Sequence, residues 1–249
     1  MLPLLYLILA LAFAVVTVRR SSLSPGGALA AGILAGTVIA TVGAVWLVPL
    51  FVFFFSSLLI SKVLPVTDDA GDAKDRQPRD AVQVLCNGGV YGLVALLGLP
   101  PALLLVVMAT AAADTWASEI GKYFRQPTYD ILRLRPVPPG LSGGVSVSGT
   151  LAGAAGAAVV AALGPWLVAD FGTAAWLTVT ALGFGGMVAD SVLGAGLQAR
   201  YRHPDGQLSD RPNRGARQVG GLRWMTNDVV NLIAILLTTL LALLFLGAE

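Results

Sequence analysis

The segment ATAAADTWASEIGKYF, residues 109–124, sets two carboxylates, two hydroxyls and an ammonium at the end of an apolar run. On a helix of 3.6 residues per turn, Asp114, Ser118 and Lys122 form one stripe and Thr115 and Glu119 the adjacent one. Trp116, Ile120 and Tyr123 point the other way. Charges at a membrane are costly unless paired, hydrated or bound to a metal. An Asp–Lys pair that neutralises itself is the plainer alternative, but it leaves Thr115 and Glu119 without a role. Residues 188–200, VADSVLGAGLQAR, echo the pattern: Asp190, Gly194 and Gln198 share a stripe, with Ser191 beside Asp190 as Thr115 is beside Asp114. Gly194 and Gly196 read equally well as packing contacts. The run FFFSSLLISK, 53–62, adds Ser56, Ser57, Ser61 and Lys62 at the same depth.

Two further segments offer parts for holding an anion. RPVPPGLSGGVSVSGT, 135–150, is a Pro-then-Gly loop leading into an apolar span, and exposed amides from Gly140 through Ser142 and Gly143 to Gly144 would suit a phosphate. A plain loop leading into the helix is the alternative. RQPRDAVQVLCNGG, 76–89, supplies Arg76, Arg79, Gln83 and Asn87, and the last span opens with Asn227, Asp228 and Asn231. Amides at such positions also serve to bond neighbouring helices. Hard carboxylates suit Mg2+ bridged to substrate phosphates, so Asp114, Glu119 and Asp190 are expected to converge on one Mg2+ ion. Phosphoryl transfer needs little beyond positioning and charge neutralisation. Neither a G-x-x-x-x-G-K-[ST] loop nor a protein-kinase signature is present. His203 and Cys86 are the only residues of their types, which excludes His- or Cys-based metal cages and an internal disulfide.

These residues must be positioned by elements that live in lipid. Of 249 residues, 56% are hydrophobic and only 12% charged, with a mean hydropathy of +0.78. Soluble domains carry roughly 25% charged residues. The sequence predicts an all-α, polytopic membrane bundle forming one domain over 1–249, with about eight spans of ~20 residues each. The spans are 2–18, 27–42, 45–61, 81–98, 101–120, 149–168, 174–197 and 228–247. The first is read as a mature helix and not a signal peptide, because no basic region precedes it. All 16 Lys and Arg then fall on one side, in the stretch after the first span and in the loops 62–80, 121–148 and 199–226. The positive-inside rule makes that side cytoplasmic, with both termini outside the cell (inner) membrane and the site on the cytoplasmic face. The loops are expected to fold back as caps over the helix ends. SPGGALAAGILAGT, 24–37, echoes LSGGVSVSGTLAGA, 141–154, as a parallel repeat would, although Gly/Ala helices also resemble one another by composition. No nucleic-acid-binding motif is present.

QVLCNGG, AADTWASEIG, VPPGLSGGVSVSGTLAG, ADSVLGAGLQ and the N-D-V-V-N opening of the last span resemble the domain-of-unknown-function-92 family. That family includes transmembrane protein 19 and the phytyl-phosphate kinases, and is distantly similar to phytol kinase and dolichol kinase. The resemblance runs from about Gly26 to Asn231. It implies a kinase that uses CTP or another nucleoside triphosphate to convert an isoprenoid monophosphate to its diphosphate. By motif, Asp114, Glu119 and Asp190 would hold Mg2+ or nucleotide phosphates, and Lys122 and the Gly140–Gly144 loop would hold phosphates. Arg76, Arg79, Gln83, Asn87, Gln198, Asn227 and Asn231 would complete the pocket, with Lys62, Thr115, Ser118 and Ser191 beside them. The expected partners are an isoprenoid phosphate lipid, a nucleotide and membrane lipids. A lipid transporter or flippase, and a cytidylyltransferase forming a CDP-lipid, are the alternatives.

Overall fold

The computed structural model describes residues 2–65, 77–212 and 215–246, with side chains from Ile8 onward. Helix α1, Leu2–Arg19, is followed by α2, Pro25–Thr41. A 3₁₀ turn at Ala44–Trp46 runs into α3, Leu47–Val63. Then come α4, Ala81–Leu96, α5, Ala102–Phe124, and α6, Val147–Ala161, with its one-turn extension α7, Gly164–Leu167. Helices α8, Thr173–Leu197, and α9, Asn227–Leu246, complete the bundle.

The helix starts at the basic end are written locally. Ser24 caps α2 by accepting from Gly27 N at 3.0 Å, with Pro25 at the first helical position. Asp80 and Gln83 form a capping box on α4, and Ser146 caps α6. At the opposite end, Gly43 at φ 95° and Gly98 at φ 61° take the left-handed conformations that follow α2 and α4.

Helix α5 is the axis of the molecule. Leu103 to Ala113 are buried without interruption, as expected of a helix apolar on every face. Gly149, Gly153 and Gly156 let α6 lie directly against it: a Cβ on Gly156 would stand 2.9 Å from the Ala112 carbonyl oxygen. Gly183 does the same for α8, where a Cβ would be 2.7 Å from that of Ala109. The mostly helical membrane bundle is therefore as the sequence predicts. Among the described residues, five helical segments are long and apolar enough to cross a bilayer: Ala44–Val63, Ala102–Phe124, Val147–Leu167, Thr173–Leu197 and Asn227–Leu246. Helix α2, of 17 residues, is as short as the expected span 27–42, and α4, of 16, ends two residues before the expected 98. At about 25 Å they fall below the ~30 Å of a typical hydrocarbon core, because both are closed by their glycine turns.

The loops do fold over the helix ends, and they do so partly as strands. Strand β1, Tyr129–Asp130, pairs antiparallel with β2, Gly144–Val145. Strand β3, Arg200–Arg202, lies between β4, Leu208–Ser209, and β5, Arg217–Gly220, both antiparallel to it. Pro204-Asp205-Gly206, with Gly206 at φ 89°, makes the β3–β4 turn. The echo between 24–37 and 141–154 sets the α2 cap Ser24 against Leu141, whereas α6 starts from Ser146, so the two helix starts are not in register.

Candidate functional site

Helices α5 and α8 run side by side toward the basic end and bring Asp114 and Asp190 together, their carboxyl groups hydrogen-bonded to one another. Asp114 lies ten residues before the end of α5, a depth of about 15 Å. Asp190 is 7% exposed. Helix α9 adds Asn231: with its nitrogen turned to face acceptors, the amide donates to Asp190 Oδ2 at 2.9 Å and to the Asn227 carbonyl at 3.0 Å. Asn87 of α4 and Thr110 of α5 line the same small hollow. Four helices thus supply oxygen- and nitrogen-bearing side chains to one buried point.

Glu119 is not at that point, so the expected convergence of Asp114, Glu119 and Asp190 does not form and the two aspartates stand together without it. Five residues along a helix turn the side chain by about 140°, so Glu119 faces α3 when Asp114 faces α8. It accepts from Ser61 Oγ at 2.8 Å, and its Oε1 lies 3.9 Å from Arg79 Nη2. Among the described residues, no group of three His, Cys, Asp or Glu side chains gathers as metal ligands would. Arg79 is held by its backbone, which donates to Ser22 O at 3.2 Å and accepts from Ser24 N at 3.0 Å. Its guanidinium lies 5.9 Å and 5.7 Å from the ring centres of Phe53 and Phe54. Burial pushes the Arg79 guanidinium below its ordinary value, with the Glu119 charge opposing.

The Gly140–Gly144 loop is a braced segment and not a row of open amides at a helix start. Ser142 N–H donates to Asp210 Oδ2 at 2.7 Å, and Gly144 N–H donates to the Leu141 carbonyl at 2.9 Å. Ser142 Oγ donates to Gln198 Oε1 at 2.7 Å. Helix α6 begins three residues beyond Gly144, with Gly149 N–H taken by Ser146 and Ser148 N–H by Gln126. Gly143, at φ 76°, packs on the backbone of Ala195. Gly140, at φ 85°, lies against the Lys122 methylenes.

The brace is Asp130, a residue the motifs do not mark. It is 1% exposed. It accepts from Arg200 Nη1 at 3.0 Å, Arg133 Nη1 at 3.1 Å, Arg133 N at 2.9 Å and Leu132 N at 3.1 Å. Arg200 Nη2 also donates to the Ser142 carbonyl at 3.0 Å, and Arg133 Nη1 to the Ala195 carbonyl at 2.8 Å. Burial raises the Asp130 carboxyl, but the bonds from Arg133, Arg200 and Leu132 outweigh it and hold the group below its ordinary value.

All the candidate side chains within the described residues line one cavity of about 1940 Å³. Its floor is the Asp114–Asp190 pair, and Lys62, Arg79 and Lys122 stand around it nearer the basic end. Thr115, Ser118, Ser191, Asn227 and the braced loop share this polar part. Gln83 faces the cavity as well, while its Oε1 accepts from Asp80 N at 3.2 Å in the α4 cap, and Asn87 donates to the Gln83 carbonyl at 3.0 Å. Arg76 lies outside the described residues. Ser61 and Asp228 line it too, and Arg20, Asp210 and Arg211 are further polar lining residues that sequence motifs did not single out. The remaining wall, from α1, α2 and α3, is mostly apolar away from the basic end, where Thr17, Arg20 and Ser61 line it.

Residues 8–239 match the family described as integral membrane protein DUF92. The chain belongs to that family. Within reach of this DUF92 chain, Protein PGR of Arabidopsis thaliana is 28% identical over 258 residues, covering 90% of the chain and 88% of that protein. An uncharacterized membrane protein of Methanocaldococcus jannaschii is 32% identical over 155 residues, covering 60% of the chain and 64% of its own length. Protein VTE6, chloroplastic, of Arabidopsis thaliana is 31% identical over 135 residues, or 54% of the chain and 34% of that protein. No solved structure matches the DUF92 chain.

Proposed function

We propose that this DUF92 protein is a Mg2+-dependent membrane kinase that moves the γ-phosphoryl group of a nucleoside triphosphate, CTP or another, onto an isoprenoid monophosphate. The observation that carries this reading is the composition of one cavity. A carboxylate pair set deep in the bundle, five cationic side chains (Arg20, Lys62, Arg79, Lys122 and Arg211) and a largely apolar wall meet in it, as a reaction between a lipid phosphate and a soluble phosphate donor requires. The likeness of D-T-W-A-S-E-I-G and P-P-G-L-S-G-G to the phytyl-phosphate kinases supplies the lipid class.

An acceptor phosphate oxygen attacks the γ-phosphorus, and the bond to the β–γ bridging oxygen breaks with its electron pair leaving on the nucleoside diphosphate. The acceptor is already an anion at neutral pH, its second pKa being about 6, so no general base is needed. What the chain must do is gather several phosphates against their mutual repulsion. Lys62, Arg79 and Lys122 offset that charge, and the walls exclude water. The donor set fits Mg2+, a hard cation usually held by one or two carboxylates with substrate phosphates filling other positions. Asp114 and Asp190 would hold it, and when bound it neutralises phosphate oxygens. The basic end would face the cytoplasm, where nucleotide is available.

The test is turnover by purified protein in lipid nanodiscs, given phytyl or geranylgeranyl monophosphate, Mg2+ and CTP, ATP, GTP or UTP in turn. Prenyl diphosphate with nucleoside diphosphate is expected. Pyrophosphate with a CDP-lipid would make the protein a cytidylyltransferase, and no product with any of the donors would overturn the reading.

A further inference from the structure

The cavity has an apolar arm that the chemistry of phosphate transfer does not use. It lies among α1, α2 and α3. On α2 its wall is a stripe of small residues, Ala28, Ala31, Gly32 and Ala35, spaced to share one face. A Cβ added at Gly32 would meet nothing within 4 Å, so this stripe does not serve close helix packing as the glycines of α6 do. It leaves space open. Across that space, Phe13 of α1 meets α3 ring to ring, with centroids 5.7 Å from Phe51 and 5.7 Å from Phe54. Phe51 and Phe55 are 39% and 53% exposed, on the side that would face lipid.

Arg79 sits where this arm joins the polar chamber. Its guanidinium rests on Phe53 and Phe54, the same run of rings that walls the arm, and Lys62 lies two turns further along α3. Its contact with Glu119, at 3.9 Å, is longer than the ~2.8 Å of a charge-assisted hydrogen bond. An amphiphile with one anionic head and a long apolar tail matches this junction in both parts. Lys122 stands on the Asp114 stripe of α5, about two helical turns beyond the carboxylate pair, with Gly140 against its methylenes.

We propose that the arm among α1, α2 and α3 is the seat of the isoprenoid tail, with Arg79 receiving the acceptor phosphate, so that the nucleotide occupies the Lys122 side. The proposal rests on the kinase reading for the identity of the lipid. The tail reaches its seat sideways from the bilayer, past the Phe13 contacts, and the lipid need not leave the membrane to react. Chain-length preference then resides in the α2 stripe.

The test is photocrosslinking with geranylgeranyl monophosphate carrying a diazirine at the tail end, on the full chain in nanodiscs without nucleotide. Saturable crosslinks are expected in the peptides 8–19 and 47–63, and Gly32→Leu should reduce them about tenfold, the equivalent of displacing a couple of methylenes from the arm. Crosslinks in α6, α8 or α9, or no saturable crosslinking, would overturn the proposal whatever the behaviour of the variant. The two readings fail separately. A chain that crosslinks in α1 and α3 yet forms no diphosphate loses the kinase reading and keeps the tail seat. A chain that forms diphosphate but crosslinks elsewhere loses the tail seat alone.

Discussion

Asp114 and Asp190 stand apart from the other acidic residues because helix packing, not side-chain flexibility, brings them together. Neither side chain can reach the loop surface from a depth of about 15 Å, since Gly183 locks α8 against α5 near Ala109. A pair so placed has a use if it serves a cation or a shared proton. Asp114→Asn and Asp190→Asn should each lower kcat by at least about 100-fold, with the thermal unfolding midpoint of the purified protein little changed. Glu119→Gln should behave differently. Its partners are Ser61 and Arg79, so the variant keeps its Mg2+ requirement and, with one negative charge removed beside Arg79, shows a lower KM for the acceptor phosphate with kcat little changed. Equal Mg2+ dependence losses in all three variants would restore Glu119 to the carboxylate site. At this scale the sequence was informative about which residues share a stripe and less so about which stripes share a neighbour. The helical period places Glu119 beside Asp114 in the chain and well around the axis from it. Nothing in the motif says which helix each face meets.

Between residues and bundle lie the loops, and Asp130 governs them. Its bonds reach Arg133 within its own loop and Arg200 in the next, and through these two arginines the Ser142 carbonyl and the end of α8 at Ala195. The group is held below its ordinary value near 3.8. The stability it contributes is therefore present above that value and is lost as pH falls through the lower, folded value. The brace should stay whole at pH 5 and above. Asp130→Asn should produce at neutral pH what acid alone would otherwise produce, a loosening worth about 3 kcal/mol for a buried charge pair with one exposed partner. Hydrogen exchange should show faster exchange at 130–145 and 198–211, with α5 unaffected. Protection unchanged in the variant would mean that the strands hold the loops without it. Some of this level was open to reading. Pro204-Asp205-Gly206 between short β-prone runs is a hairpin signal, and Asp80-Ala81-Val82-Gln83 is a capping-box pattern. Asp130 was not, because TYDILRLR carries no periodicity and its principal partner lies 70 residues away.

The whole molecule is polar at one end only, and that asymmetry was legible from the placement of Lys and Arg alone. Helices α1, α3, α5 and α8 all run toward the basic end, and the helices between them run back, so the loops after those four meet above one cavity. What hydropathy could not supply was the end of α4, which closes at Leu96 before the Gly98 turn instead of running on to residue 98. The same asymmetry decides orientation. A protein with every described basic residue at one end has a strong preference, since each Lys or Arg held on the wrong side opposes insertion. A Cys introduced at Gln207, exposed in the β3–β4 turn, in a chain whose native Cys86 is replaced by Ser, should react with a membrane-impermeant maleimide only in inverted vesicles. A Cys at Thr173, exposed at the other end of α8, should react only in intact cells or right-side-out vesicles. The reverse pattern would place the cavity mouth outside the cell, away from the nucleotide pool. A kinase drawing on cytoplasmic nucleoside triphosphate could not work in that orientation, whatever its carboxylates do.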